Sequence, residues 1–199
     1  MHDFPTITQY ASEDLIEAMA YQGHPVADDP LWPETGAPDL ATYSRWAGNI
    51  CGIACLRMAL LRRDGTAPRL FDLLDGARKY GAYEELDGGV IRGLIYAPFV
   101  DYVRAEHGFE AEVQGRLPVE DLLTLVRNGF AVIASVNKEI RRPENPAPGK
   151  GGHLVYVTGH RDGQLHFRNP SGHTDQARKA AIPVNVFTEF YAERGVSFA

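Results

Sequence analysis

The chain is poor in cysteine, in lysine and in long apolar runs, and each shortage excludes something. Only two cysteines, Cys51 and Cys55, occur among 199 residues, so no disulfide framework holds the fold. A chain of this length is expected to make one domain with a core large enough to stand without staples. Lysine occurs four times against sixteen arginines, and with 26 acidic residues the formal net charge is −6. That balance argues against a nucleic-acid partner, which needs a basic stripe. No uncharged apolar stretch approaches the ~18 residues of a membrane span, so no membrane partner is expected. The start, Met1-His2-Asp3-Phe4-Pro5, has neither a basic region nor an apolar run. No signal peptide is therefore expected, and the cytoplasm is the expected compartment. Where thiols stay reduced, a chain with few cysteines is tested first for a thiol nucleophile.

What is present has a clear order. Ser12, Glu13 and Asp14 open a helical candidate within residues 1–20, with Leu15, Ile16 and Met19 as its apolar stripe. Residues 22–40 hold four prolines and two glycines and read as a long loop. From Asn49 the segment NICGIACLRMALLRR is apolar around most of its circumference, which predicts a centrally buried helix stopped at Asp64-Gly65. Further helices are predicted at Leu70–Tyr80, from Ile91 or Tyr96 to His107, at Pro118–Asn128 and within Pro183–Arg194. Strands are predicted at Phe130–Val136, Leu154–Thr158, Leu165–Arg168 and Val196–Phe198, with a loop over 138–152. Helices first and antiparallel strands later make an α+β fold.

The sharpest chemical signal is Cys51-Gly52 at the start of the apolar helix. A thiol there meets the positive end of the helix dipole and unpaired backbone N–H groups, which predicts a pKa lowered towards neutrality. A thiolate needs a cationic or basic partner with an orienter behind it. His153, delivered by Gly151-Gly152 into an apolar strand, is the candidate partner. Asn169, ahead of Pro170 at the end of the next strand, is the candidate orienter. Together they form a candidate catalytic set of Cys51, His153 and Asn169.

The segments Ile50–Met58, Gly152–Gly159 and Asn169-Pro170 resemble those of the peptidase C39-like family, over roughly residues 45–198. The resemblance implies a papain-like cysteine peptidase fold, a helical half facing an antiparallel sheet half. It implies Cys51 as nucleophile, His153 as general base and acid, and Asn169 where the family more often has Asp. One departure is visible: the family usually carries Gln six residues before the Cys to complete the oxyanion hole, and Arg45 stands there. Arg45 and Asn49, the nearest amide, are the candidate oxyanion donors. On this reading residues 1–199 are one domain, with 1–44 an N-terminal helix and loop extension and 45–199 the catalytic core.

Geometry constrains the pair further. A two-residue turn at Asp162-Gly163 would put His153 and Asn169 on opposite sheet faces, whereas a three-residue loop would put them on one. The three-residue form is expected. Cys55, one turn beyond Cys51, reads as core. His153, His160, His166 and His173 do not match metal-ligand spacing, so no metal and no cofactor are expected. His24 and His107 read as surface residues, Arg141-Arg142 as a solvated loop, and Trp46 as a packing anchor or a wall of the cleft. Loops 22–40 and 138–152 are expected to frame that cleft. The expected reaction is hydrolysis of a peptide or small amide through a Cys51 thioester. Two alternatives stand beside it: an acyltransferase passing the acyl group to an amine, and a catalytically impaired binding module on the same fold.

Overall fold

The computed structural model describes residues 4–199. Its centre is the apolar helix the sequence singled out, α3 (Cys51–Asp64), ended by Gly65 in the left-handed conformation. Every residue from Cys51 to Leu56 is buried, as a helix apolar on all sides requires. Around it lie α4 (Leu70–Lys79) and α5 (Tyr96–His107). Ahead of it come the short α1 (Ile16–Tyr21) and α2 (Leu40–Trp46). Asp39 caps α2 by accepting the Thr42 N–H. The expected cap at Ser12 does not form, because its hydroxyl donates to Asp29 Oδ1 at 2.6 Å.

A six-stranded antiparallel sheet makes the other half, in the order β3-β8-β4-β5-β6-β7. The strands are β3 (Ala111–Gln114), β4 (Ala131–Val136), β5 (His153–Arg161), β6 (Gln164–Arg168), β7 (Lys179–Pro183) and β8 (Tyr191–Phe198). A separate hairpin pairs β1 (Glu84–Leu86) with β2 (Val90–Arg92). One sheet face, through Leu154, Tyr156, Ile133 and Val196, packs on α3 and its neighbours. The opposite face, through Val155, Val157 and Ala134, is covered by α6 (Val119–Arg127) and α8 (Val184–Phe190). The one-turn α7 (Asp175–Arg178) leads into β7. The α+β class and the papain-like arrangement follow from this packing.

Several expectations need correction. β1, β2, β3 and β7 fall where no strand was expected: they are only three to five residues long, too short for a period to stand out in the sequence. β2 takes Ile91, which leaves Tyr96 as the start of α5. Residues 22–40 are not a bare loop. They hold two 3₁₀ turns, Val26–Asp28 and Trp32–Thr35, and are anchored by buried Asp29. The Asp29 carboxylate accepts from Ser12 and Ala11 in the N-terminal segment, from Leu31 N–H, and from the Tyr43 hydroxyl on α2.

Candidate active site

Cys51 is the first residue of α3, so its backbone N–H has no partner within the helix. The residue is 9% exposed and lines a cleft of about 620 Å³ together with His153, Asn49, Tyr96, Ser135 and Leu154. Burial outweighs the helix dipole here. It pushes the thiol up to about 11, against the pull of backbone N–H groups at Leu154, Gly52 and Cys51. The expected lowered pKa is therefore not found. Gly52 is closely packed. A Cβ there would lie 2.8 Å from the Tyr83 hydroxyl and 3.0 Å from Leu94, so the glycine lets the helix start seat against those side chains.

His153 opens β5 at the centre of the sheet. Gly151 and Gly152, with φ of 79° and 90°, turn the chain into that strand through backbone that favours glycine. The imidazole is buried, and burial pulls it down to about 4, opposed by its bond to Asn169 and aided by the nearby Arg141 and Lys138 charges. His153 Nε2 lies 2.8 Å from Asn169 Oδ1 and 3.0 Å from the Ser171 hydroxyl. The Ser171 backbone N–H donates to the same Asn169 Oδ1 at 3.0 Å. That backbone donor fixes which end of the amide is oxygen, so Nε2 must carry the hydrogen. The lone pair is then on Nδ1, which makes no hydrogen bond among the described residues and is free to act as a base.

The hairpin that pairs these residues differs from the expected one. Asp162 and Gly163 form a two-residue turn with φ of 53° and 74°, and the register there runs Arg161↔Gln164, His160↔Leu165, Gly159↔His166. A bulge follows: the next pair is Val157↔Phe167, leaving Thr158 as the extra residue. The bulge changes the parity that the turn sets, and His153 and Asn169 share a face after all.

The remaining assignments separate. Asn49 lines the cleft and gives one Nδ2 hydrogen to Arg45 O at 3.2 Å. Arg45 does not line it; its guanidinium pairs with Glu85 on the hairpin. Cys55 is fully buried, with Sγ 3.9 Å from Leu154 O. Trp46 packs edge-on to Tyr83 under Arg78 and is not a cleft wall. Arg141 is not solvated: it is 8% exposed, pairs with Glu139 at 3.0 Å and lies against the Tyr21 ring. His24 and His107 are half-buried, and His107 Nε2 meets Tyr102 Oη at 2.9 Å. Among the described residues no His, Cys, Asp and Glu cluster could hold a metal ion, and no helix is long and apolar enough to cross a membrane. Loops 22–40 and 138–152 contribute only Gly152 to the cleft; residues 91–96 and Arg194 take the place expected of them.

Two contributors were missed in the sequence. Ser171 closes a turn over Asn169, and Asn-Pro-Ser-Gly is a recognisable signal for it. Gln9 has no such signal. It joins the two halves beside the site, its N–H donating to Pro170 O at 2.9 Å and its Nε2 to Ala47 O at 2.8 Å.

A helix opening on a cysteine, packed against an antiparallel sheet that presents a histidine, is the arrangement of papain-like cysteine peptidases. The chain belongs to the peptidase C39-like family, whose sequence profile matches residues 37–197. Two solved structures share the fold. A C39-like peptidase from Bacillus anthracis superposes with a TM-score of 0.52 at 16% identity, over 76% of this chain and 88% of that one. The peptidase domain of Streptococcus ComA, a bifunctional ABC transporter of a quorum-sensing pathway, gives 0.52 and 16% over 76% of this chain and 92% of that one. No functionally curated protein matches the chain.

Proposed function

We propose that the protein is a cysteine-dependent hydrolase of a peptide or small amide, with Cys51 as nucleophile, His153 as base and acid and Asn169 as orienter, working in the reducing cytoplasm. The observation that carries this reading is the chain Ser171 N–H to Asn169 Oδ1 to His153 Nε2–H, which leaves Nδ1 unprotonated on a residue that lines the same cleft as Cys51. Burial favours the neutral thiol and the neutral imidazole at rest. The proton therefore moves from Sγ to Nδ1 as sulfur adds to the carbonyl carbon. The C=O pair passes to oxygen, which faces the Cys51 N–H with Asn49 as second donor. Such a donor contributes about 3 kcal/mol to acyl transfer. Collapse breaks the C–N bond, Nδ1–H protonates the departing amine, and a thioester remains. Water attacks it, giving a proton to Nδ1, and the acid leaves as the thiol is restored.

The near-complete enclosure of Cys51 and His153 favours a second outcome at the last step. An amine that fills the cleft would exclude water and take the acyl group in its place. One experiment tests both. A mixed peptide library is incubated with the protein and read by mass spectrometry, with and without an added amine. New carboxyl termini absent in Cys51→Ala and His153→Ala support hydrolysis, and amine adducts support transfer. Products that persist in Cys51→Ala remove the thiol from the chemistry.

A further inference from the structure

The cleft has a sign. Its charged lining residues are Arg92 and Arg194, with no aspartate or glutamate, in a chain of net charge −6. Arg92 is shared with Glu84 at 3.6 Å on the exposed hairpin. Arg194 has no carboxylate partner among the described residues.

Arg194 reaches the cleft because β8 is irregular. Ala134 pairs with Gly195 and Val136 with Tyr191, so three residues, Ala192 to Arg194, stand opposite Ser135 alone. The extra chain is accommodated by Glu193 at φ 50°, a conformation that disfavours any side chain. Bulges of this kind re-aim side chains beside active sites. Here the Arg194 guanidinium and the Ser135 hydroxyl converge beside Gly151. A Cβ on that glycine would lie 3.3 Å from Ser135 Oγ and 3.5 Å from Arg194 Nη2. Burial raises the Tyr96 phenol above its ordinary value, and Ser135 and Arg194 both oppose that rise, which places the two side chains close to the phenol oxygen. Two donors aimed at one region of a cleft, next to the loop that delivers His153, make a place for an anion.

We infer that Arg194 and Ser135, with Tyr96 beside them, form a subsite for a substrate carboxylate close to the reacting carbonyl. The inference rests on Cys51 as nucleophile and narrows the substrate to an acidic peptide or amide, one with an Asp or Glu side chain or a free carboxylate next to the bond attacked.

The test uses the intact protein and two reagents that differ in charge, iodoacetate and iodoacetamide. The rate of Cys51 modification by each is followed by peptide mass mapping. The ratio of the iodoacetate rate to the iodoacetamide rate should fall about threefold or more in Arg194→Gln. Arg194→Lys should keep most of it, since it retains the charge, and Arg194→Glu should lower it further. A ratio that is the same in wild type and Arg194→Gln overturns the subsite while leaving Cys51 as a reactive thiol. A Cys51 that neither reagent modifies overturns the nucleophile reading, and this inference with it.

Discussion

At the scale of single residues, burial favours the neutral form of both Cys51 and His153, the two groups proposed to react. Helix-start position alone favours a thiolate at Cys51. Enclosure to 9% exposure reverses the balance, because desolvation acts on the whole charge whereas the dipole supplies only partial charges. The same enclosure keeps His153 unprotonated down to about 4. Absorbance near 240 nm, compared between wild type and Cys51→Ala at pH 7, should therefore show no thiolate. A thiolate band at that pH would mean that the resting state is an ion pair. The candidates Cys51, His153 and Asn169 could each be picked from a local signature in the sequence: a helix start, a glycine pair, an Asn-Pro turn. Burial was not legible, since it depends on Leu154, Tyr83 and Tyr96 arriving from distant segments.

At the scale of elements, two irregularities do the positioning, and neither is written in hydrophobic pattern. The Thr158 bulge sets the face that Asn169 shares with His153, and the Ala192–Arg194 bulge brings an exposed cation to the cleft. The apolar runs FAVIASV and LVYVT located β4 and β5, but such runs are blind to one inserted residue in the pairing. The seating of α3 is a third such feature. Gly52→Ala puts a methyl against the Tyr83 hydroxyl and should destabilise the protein by about 1–3 kcal/mol. That hydroxyl is buried without a hydrogen-bond partner. Removing it in Gly52→Ala/Tyr83→Phe should recover part of the loss, and denaturant midpoints of the four proteins give the coupling. Additive effects would show that the helix start is not seated on Tyr83.

At the scale of the whole molecule, the N-terminal segment ties the halves together. Phe4 packs at a tilt on Tyr156, Gln9 bridges Pro170 and Ala47, and Ala11 and Ser12 close on Asp29. The α+β class was legible because most of the helices precede most of the antiparallel strands along the chain. The role of this segment was not, because it acts through backbone and polar contacts to partners far along the chain. Stability should also respond to pH through the site itself. The unfolded chain takes up a proton at a histidine below about 6.5, while folded His153 refuses it until about 4. Folding free energy should therefore weaken as pH falls across that window, by at most about 1.4 kcal/mol per pH unit from this residue. His153→Gln should flatten that part of the profile in denaturant melts; an unchanged slope would show that the imidazole is not held neutral by the fold.

The central claim is that His153, oriented through Asn169, activates Cys51. It is tested most directly by the second-order rate of iodoacetamide modification at Cys51, mapped by mass spectrometry at pH 7.5 in wild type and in His153→Ala. Cys51 should be modified in preference to the core residue Cys55, at a rate at least about tenfold lower in the variant, within the range for loss of a general base. Equal rates in the two proteins, or Cys55 modified as fast as Cys51, would contradict it.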